Sequence, residues 1–150
     1  MALKKIISGG QTGADQGGLA AGKALGLETG GWLPRGCMTE TGRRPDLLTE
    51  YGMFEHCSTG YAPRTEINVL HSDGTALFGD MSSPGSRLTI KLCKEHGRPY
   101  IINPKALELR EWLDREDIKI LNVAGNRASK NPAVMLTTFN TLMIAFEVEK

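Results

Sequence analysis

Short apolar runs alternate with segments of helical period along this chain. The apolar runs predict five strands, at residues 4–8, 29–33, 75–78, 99–103 and 118–124. Apolar residues spaced three and four apart predict five helices, at residues 15–25, 65–72, 86–96, 106–114 and from 132 toward 147. Strands that alternate with helices in this way are joined by right-handed βαβ crossovers. We therefore predict an α/β fold with three αβα layers around a mainly parallel sheet of about five strands.

Residues 34–61 break this alternation. They show no clean period and contain several glycines, prolines and arginines, among them Arg35, Arg43 and Arg44. Irregular connections of this length are usually functional or mobile. We expect this segment to be a loop that covers a site.

Composition narrows the class of protein. The 150 residues suit one domain, residues 1–150, and no internal repeat or linker divides them. Eighteen basic against 17 acidic residues leave a net charge of +1, so the overall field favours neither nucleic acid nor a membrane surface as a partner. With no apolar run of membrane-spanning length and no visible signal peptide, we expect a cytoplasmic protein.

Cysteine and histidine usage gives no sign of a metal site or a catalytic group. Cys37, Cys57 and Cys93 are odd in number and lack CxxC spacing, so we expect three free thiols and no metal site. No nucleophile elbow or HExxH pattern occurs, and the three histidines lie in unrelated contexts. We predict no catalytic residue.

Three polar loops follow predicted strands and lead into predicted helices. Their sequences are GGQTGADQGG at residues 9–18, GDMSSPGS at 79–86 and GNRASKN at 125–131. In a parallel sheet such loops gather at the carboxyl edge, where these folds bind ligands. Unpaired N–H groups at helix starts favour an anion there. The sequence thus predicts a binding site made by three loops.

The first loop fails the tests for the best-known phosphate motifs. It contains no G-x-G, so a dinucleotide fingerprint is excluded. Gly13 and Gly18 have the outer spacing of a P-loop, but Leu19 and Ala20 replace its lysine and hydroxyl. Two interpretations stay open for the glycines, close packing of a helix or contact with a ligand.

The small residues of the first loop and of the predicted helix after it divide between these two interpretations. Spacing favours packing of the helix on the sheet for Gly17, Ala21 and Ala24, and ligand contact for the pair Gly9 and Gly10. Thr12 could cap the first helix, with Asp15 completing an acidic capping box.

The other two loops offer hydroxyls and cations. Ser83 or Ser86 serves either as a helix cap or as a phosphate ligand. Arg127 and Lys130 beside a helix start make the third loop the most phosphate-like of the three. Arg64, at the start of another helix, is a further candidate for binding an anion.

Four blocks in one order, SGGQTGADQGGL, TGGWLPRG, YAPRTEINVLHSDGTALF and LNVAGNRASKNP, resemble the molybdenum carrier protein family. That family is related to the molybdenum-cofactor carrier and to Rossmann-like proteins that include cytokinin-activating phosphoribohydrolases. The resemblance implies a Rossmann-like fold, a dimer or tetramer, and a phosphorylated pterin or nucleotide-like ligand at the strand ends. With the loops above, it gives these expected ligand-binding residues: Gly9, Gly10, Gln11, Thr12, Gly13, Asp15, Arg64, Thr65, Asn68, Asp73, Gly74, Thr75, Ser83, Gly85, Ser86, Asn122, Gly125 and Arg127.

The resemblance favours a non-catalytic carrier of molybdenum cofactor (molybdopterin) or a related nucleotide. One alternative is a nucleotide N-glycosidase of phosphoribohydrolase type, with Asp73 or Glu66 as acid or nucleophile. However, SPGSRLTI lacks the second glycine and the glutamate of the phosphoribohydrolase signature P-G-G-x-G-T-x-x-E. Another alternative is a nucleotide-sensing module that signals to a partner.

Overall fold

The computed structural model describes residues 2–147 and has the predicted α/β architecture. Its strands are β1 Lys5–Ser8, β2 Glu28–Gly30, β3 Trp32–Leu33, β4 Met38–Thr39, β5 Gly42–Arg43, β6 Phe54–Glu55, β7 Gly74–Phe78, β8 Tyr100–Ile102 and β9 Ile120–Gly125. Its helices are α1 Ala14–Ala24, α2 Asp46–Tyr51, α3 Tyr61–Leu70, α4 Pro84–Glu95, α5 Ala106–Arg115 and α6 Val134–Glu147. No helix of these residues is long and apolar enough to span a membrane.

Five parallel strands form the main sheet, in the order β2-β1-β9-β7-β8. Ser8 at the end of β1 pairs with Val123, and Phe78 at the end of β7 pairs with Gly125. The three central strands therefore end side by side. The loops that leave them meet at one edge of the sheet.

Helices cover both faces of this sheet, which confirms the predicted three layers. On one face α1, α5 and α6 pack together over the largest apolar cluster, with Ile6, Phe78 and Leu121 at its centre. On the other face α3 and α4 pack against each other around Val69 and Cys93. Burial on both faces explains why the three central strands β1, β7 and β9 consist largely of apolar residues.

The predicted strand at residues 29–33 is wrong as a single element. It divides at Gly31, which has φ +117°. A Cβ at Gly31 would overlap the carbonyl oxygen of Ser8. Only glycine suits this turn, so β2 joins the main sheet whereas β3 leaves it and pairs with β6.

The segment at residues 34–61 is not an irregular loop. It contains α2, the hairpin β4–β5 and the strand β6. Its apolar residues join α1 in a second cluster of Leu19, Leu33, Cys37, Leu47 and Met53. Two-residue strands are too short to produce a periodic pattern, so these elements could not be predicted from the alternation of apolar and polar residues.

Helix α1 meets its neighbours closely through small residues. A Cβ at Gly18 would lie 2.6 Å from Val123 of β9, and one at Gly17 would lie 2.6 Å from the Met135 carbonyl of α6. Gly18 therefore packs on the sheet, whereas the predicted packing of Gly17 on the sheet is wrong because Gly17 faces a helix. Ala24 is exposed, so its predicted packing role is wrong as well.

Candidate binding cavity

A cavity of about 540 Å³ lies where the three polar loops meet the start of α3. This volume is within the usual range for small-molecule sites, roughly 300–1,000 Å³. The structure brings eleven of the expected ligand-binding residues to its wall: Gly9, Gln11, Asp15, Arg64, Thr65, Asn68, Ser83, Gly85, Asn122, Gly125 and Arg127. The remaining lining residues are Tyr61, Pro84, Leu88, Thr89, Ala124, Asn126 and Lys130.

The space that a side chain at Gly9 would occupy is filled by another part of the protein. A Cβ at Gly9 would overlap the Arg64 guanidinium, which comes from α3. At Gly10, with φ +74°, a Cβ would lie 2.6 Å from Leu33 Cδ2. Gly9 lines the cavity, whereas Gly10 does not. The chain's own side chains thus account for both glycines.

Gly13 joins the first loop to the third. It is the N-cap of α1, has φ +85°, and a Cβ there would overlap the Asn126 carbonyl oxygen. The same carbonyl accepts the Ala14 N–H at 3.1 Å. This contact leaves no room for a side chain, so glycine is needed for packing between loops.

Thr12 does not cap α1, and the predicted capping box is absent. The Gly13 cap has no side-chain hydrogen bond. Instead, Thr12 Oγ1 donates to Glu40 and accepts the Ala128 N–H at 3.2 Å. Thr12 therefore links the first loop to the third loop and to the β4–β5 hairpin.

Asp15 and Arg64 form a buried ion pair on the cavity wall. Arg64 Nη1 lies 3.6 Å from Asp15 Oδ2, and both side chains are about nine-tenths buried. The Asp15 carboxylate also accepts the N–H groups of Gln11, at 3.2 Å, and Gly9. Burial raises the pKa of Asp15 to about 6, although Arg64 opposes this shift. Burial also lowers the pKa of Arg64.

Two buried donors on the wall have no acceptor in the described part of the chain. They are Arg64 Nε and Gln11 Nε2. Their residues are 9% and 8% exposed, respectively. Unpaired buried donors are costly, and these two nitrogens have almost no exposed surface, so an acceptor oxygen of a ligand reaches them only if their side chains turn toward the cavity.

The start of α4 is more open. Ser83 caps this helix by accepting the Ser86 N–H at 3.4 Å, and Pro84 occupies the first turn. A Cβ at Gly85 would meet nothing within 4 Å. The first turn of a helix leaves N–H groups without intrahelical acceptors, and here they border the cavity.

The third loop contributes cations to the wall. The guanidinium carbons of Arg64 and Arg127 lie 5.4 Å and 6.0 Å from the centre of the Tyr61 ring. With Lys130, three basic side chains on the wall face one carboxylate, that of Asp15. This excess of positive charge favours an anionic ligand.

Other donors of the third loop are already occupied. The Ser129 N–H and Oγ–H both donate to the Glu40 carboxylate, at 3.0 Å and 2.5 Å. Hydrogen bonds from Ser129 and Thr12 lower the pKa of Glu40. The loop does bind an anionic group, but that group belongs to the protein.

Seven of the expected residues do not line the cavity: Gly10, Thr12, Gly13, Asp73, Gly74, Thr75 and Ser86. Asp73 precedes β7 and accepts the Lys119 and Ile120 N–H groups at 3.0 Å and 2.9 Å, at the amino edge of the sheet. Gly74 packs against Trp112 and Ile118 in the core. Residues that begin a parallel strand cannot reach the edge where it ends.

The two carboxylates named for N-glycosidase chemistry both lie outside the cavity wall. Asp73 is at the opposite edge of the sheet, and Glu66 accepts a hydrogen bond from His96 Nε2 at 3.0 Å or pairs with it as an ion. Glu66 connects α3 to the residue that follows α4. Neither side chain is positioned to act on a ligand in this cavity.

No group of three His, Cys, Asp or Glu residues within residues 2–147 could hold a metal ion. The three cysteines are free. Cys37 and Cys93 are buried, and Cys57 is exposed. None of them is among the lining residues.

The sequence profile of the circularly permutated YpsA SLOG family matches residues 6–146. The chain belongs to this family. A crystal structure of a "putative molybdenum carrier protein" from Syntrophus aciditrophicus SB is 35% identical and has a TM-score of 0.86. The match covers 97% of this chain and 95% of that one. Together, the family and this relative support a general ligand-binding role.

A second solved structure is much less similar. It is the (E)-4-hydroxy-3-methyl-but-2-enyl diphosphate reductase, 12% identical with a TM-score of 0.42, and the match covers 95% of this chain and 59% of that one. A likeness this low carries no argument about function. No protein with a curated description matches the sequence at a significant level.

Sequence reasoning missed several lining residues that have a detectable pattern. Tyr61 is three residues before Arg64, and Leu88 and Thr89 are three and four residues after Gly85. Residues at this spacing share one face of a helix. A helix starting at Tyr61 rather than at residue 65 would have placed Tyr61 beside Arg64.

Proposed function

We propose that this protein binds and carries a small phosphorylated heterocycle in the cavity at the carboxyl edge of the sheet. The ligand class comprises nucleotides and the pterin of molybdenum cofactor. One observation carries the proposal: the lining residues among residues 2–147 present three cations and one carboxylate, and two of them hold a buried donor that has no acceptor in this part of the chain. Such a wall suits a ligand that is anionic and rich in acceptor oxygens.

The phosphate is assigned to the more open side of the cavity. There Arg127 and Lys130 supply positive charge, and the first turn of α4 around Gly85 supplies N–H groups. Arginine binds phosphate oxygens through its planar fork of donors. Removing Arg127 should therefore weaken binding of a phosphorylated ligand.

The heterocycle is assigned to the part of the wall formed by Asp15, Gln11 and Arg64. The Asp15 carboxylate can accept N–H groups of a pterin or purine edge. Gln11 and Arg64 can donate to its carbonyl oxygen. This combination of donors and acceptors favours a polar ring over a simple anion such as phosphate alone.

These residues also fit molybdenum cofactor as cargo, because its pterin and phosphate need the same donors. Since no lining residue among residues 2–147 is a cysteine, the metal would be carried without a thiolate ligand from these residues. The name of the Syntrophus relative agrees with this cargo. The alternative, N-glycosidase activity, would need an acid beside the ligand, and neither Asp73 nor Glu66 is in that position.

Anaerobic calorimetry tests the proposal with three probes: guanosine monophosphate, inorganic phosphate and molybdopterin released from a molybdoenzyme. We expect binding of at least one heterocyclic probe, and an affinity about tenfold lower in Arg127→Ala because one charge-assisted hydrogen bond is lost. Arg115→Ala, on the exposed surface of α5, is the matched control. No binding of either heterocycle, or equal affinity in Arg127→Ala, would contradict the proposal.

A further inference from the structure

The β4–β5 hairpin lies beside the cavity without lining it. Its two strands are antiparallel, and Glu40 lies in the turn between them. None of residues 34–60 belongs to the cavity wall. Yet Glu40 makes hydrogen bonds to two of the three loops that build the wall.

Glu40 holds the third loop through its carboxylate. Oε1 accepts the Ser129 N–H at 3.0 Å, and Oε2 accepts the Ser129 hydroxyl at 2.5 Å. Ser129 lies in sequence between Arg127 and Lys130, which both line the cavity. Because charge-assisted hydrogen bonds are short and strong, this contact restricts the loop that presents both cations.

Glu40 also orients Gln11 in the first loop. Gln11 Oε1 accepts the backbone N–H of Glu40 at 2.9 Å and that of Thr12 at 3.1 Å. With its oxygen occupied in this way, the amide must direct Nε2 elsewhere. Nε2 is one of the two buried donors of lining residues that have no acceptor among the described residues.

We propose that Glu40 is a positioning residue for ligand binding. Its carboxylate holds the loop at residues 127–130, through Ser129, in the geometry that a ligand requires, whereas its backbone N–H holds the amide oxygen of Gln11 and is kept in every side-chain variant. This inference rests on the proposed function. Glu40 itself does not touch the ligand. It raises affinity by ordering the donors beforehand, so that less conformational freedom is lost on binding.

The affinities of Glu40→Ala, Glu40→Gln and the wild type, measured by calorimetry with guanosine monophosphate and molybdopterin, test this role. We expect about tenfold weaker binding in Glu40→Ala. Glu40→Gln should lie between the two, because its amide oxygen keeps one acceptor for Ser129. Glu50→Gln, on the exposed surface of α2 in the same segment, is the control and should bind like the wild type.

Amide hydrogen exchange measured by NMR without ligand gives a second readout. Exchange at Ser129 and Ala128 should be faster in Glu40→Ala than in the wild type, because the carboxylate no longer holds the loop. The amides of β9 should keep their wild-type protection, which shows that the fold is intact. Unchanged exchange at Ser129 would overturn the hydrogen-bonded contact itself.

The outcomes separate the two proposals. If neither heterocycle binds to the wild type, the proposed function fails and the positioning role fails with it. If the wild type binds and Glu40→Ala binds equally well, only the positioning role is overturned. Weaker binding in Glu40→Ala together with faster exchange at Ser129 supports both.

Discussion

Two of the three glycine-bearing loops that border the cavity differ in what surrounds their glycines. In the first loop, the positions of Gly9, Gly10 and Gly13 are filled by Arg64, Leu33 and the backbone of Asn126. At the start of α4, Gly85 has open space around it. The loop richest in glycine is thus the one closed by the protein itself. Glycine density indicates close approach, but it does not tell whether a ligand or the chain approaches.

The largest expected effect is at Gly13. Gly13→Ala should lower the free energy of unfolding by about 3 kcal/mol, because a Cβ overlaps backbone that cannot move away. Gly36→Ala is a control that is matched to Gly13 in φ alone, since Gly13 also has ψ −129°. Its φ of +84° is nearly the +85° of Gly13, yet its nearest neighbour, Met38 Cγ, is 3.6 Å away. It should cost only about 1 kcal/mol.

Urea unfolding of both variants measures this difference. Equal losses at Gly13 and Gly36 would show that backbone conformation alone requires glycine in the first loop. In that case the comparison between a closed and an open loop would fail.

The next largest effect concerns the buried ion pair between Asp15 and Arg64. Because burial raises the pKa of Asp15 from 3.8 to about 6, the folded state binds more protons than the unfolded state between these pH values. The free energy of unfolding should therefore fall as pH rises from 4 to 6, by about 2 kcal/mol, the larger part of the roughly 3 kcal/mol that two pKa units represent. Asp15→Asn should remove this component of the pH dependence.

Urea unfolding at several pH values between 4 and 7 checks this expectation. The control is Asp46→Asn, because Arg44 lowers the pKa of Asp46 and the sign reverses: the stabilisation by Asp46 is lost as pH falls. A wild-type pH profile that Asp15→Asn leaves unchanged would contradict a raised pKa at Asp15.

The smallest effect is at Gly85 and has the opposite sign from that at Gly13. Gly85 lies in the first turn of α4 and has open space around it. Gly85→Ala should raise the free energy of unfolding by about 0.5 kcal/mol, because alanine favours a helix more than glycine does. Thermal unfolding measures the change. A destabilised variant would mean that this loop, too, is closely packed.

The local spacing of apolar and polar residues was enough to predict the architecture. All five predicted helices are present, and four of the five predicted strands keep their identity as elements of the main sheet. Their apolar periodicity is strong because each faces a core. The division at Gly31 was not predictable in this way, because it depends on contact with Ser8, far away in the sequence.

The site was predictable only as far as topology determines it. Loops that follow parallel strands must meet, and Gly9, Gly85 and Arg127 do. The roles of single residues depend on partners distant in sequence. Glu40 binds Ser129, and Arg64 occupies the space beside Gly9. No local pattern encodes such pairs, so Glu40 was absent from the expected site.

The position of β9 has a consequence for synthesis of the chain. It is the last strand of the main sheet along the sequence, yet it lies between β1 and β7. Until residues 120–125 leave the ribosome, the nascent chain can form only the separate pairs β1–β2 and β7–β8. Two-stranded pairs are marginal on their own, and joining them requires contacts between distant residues. The nascent chain therefore completes its sheet and its cavity only after β9 has emerged.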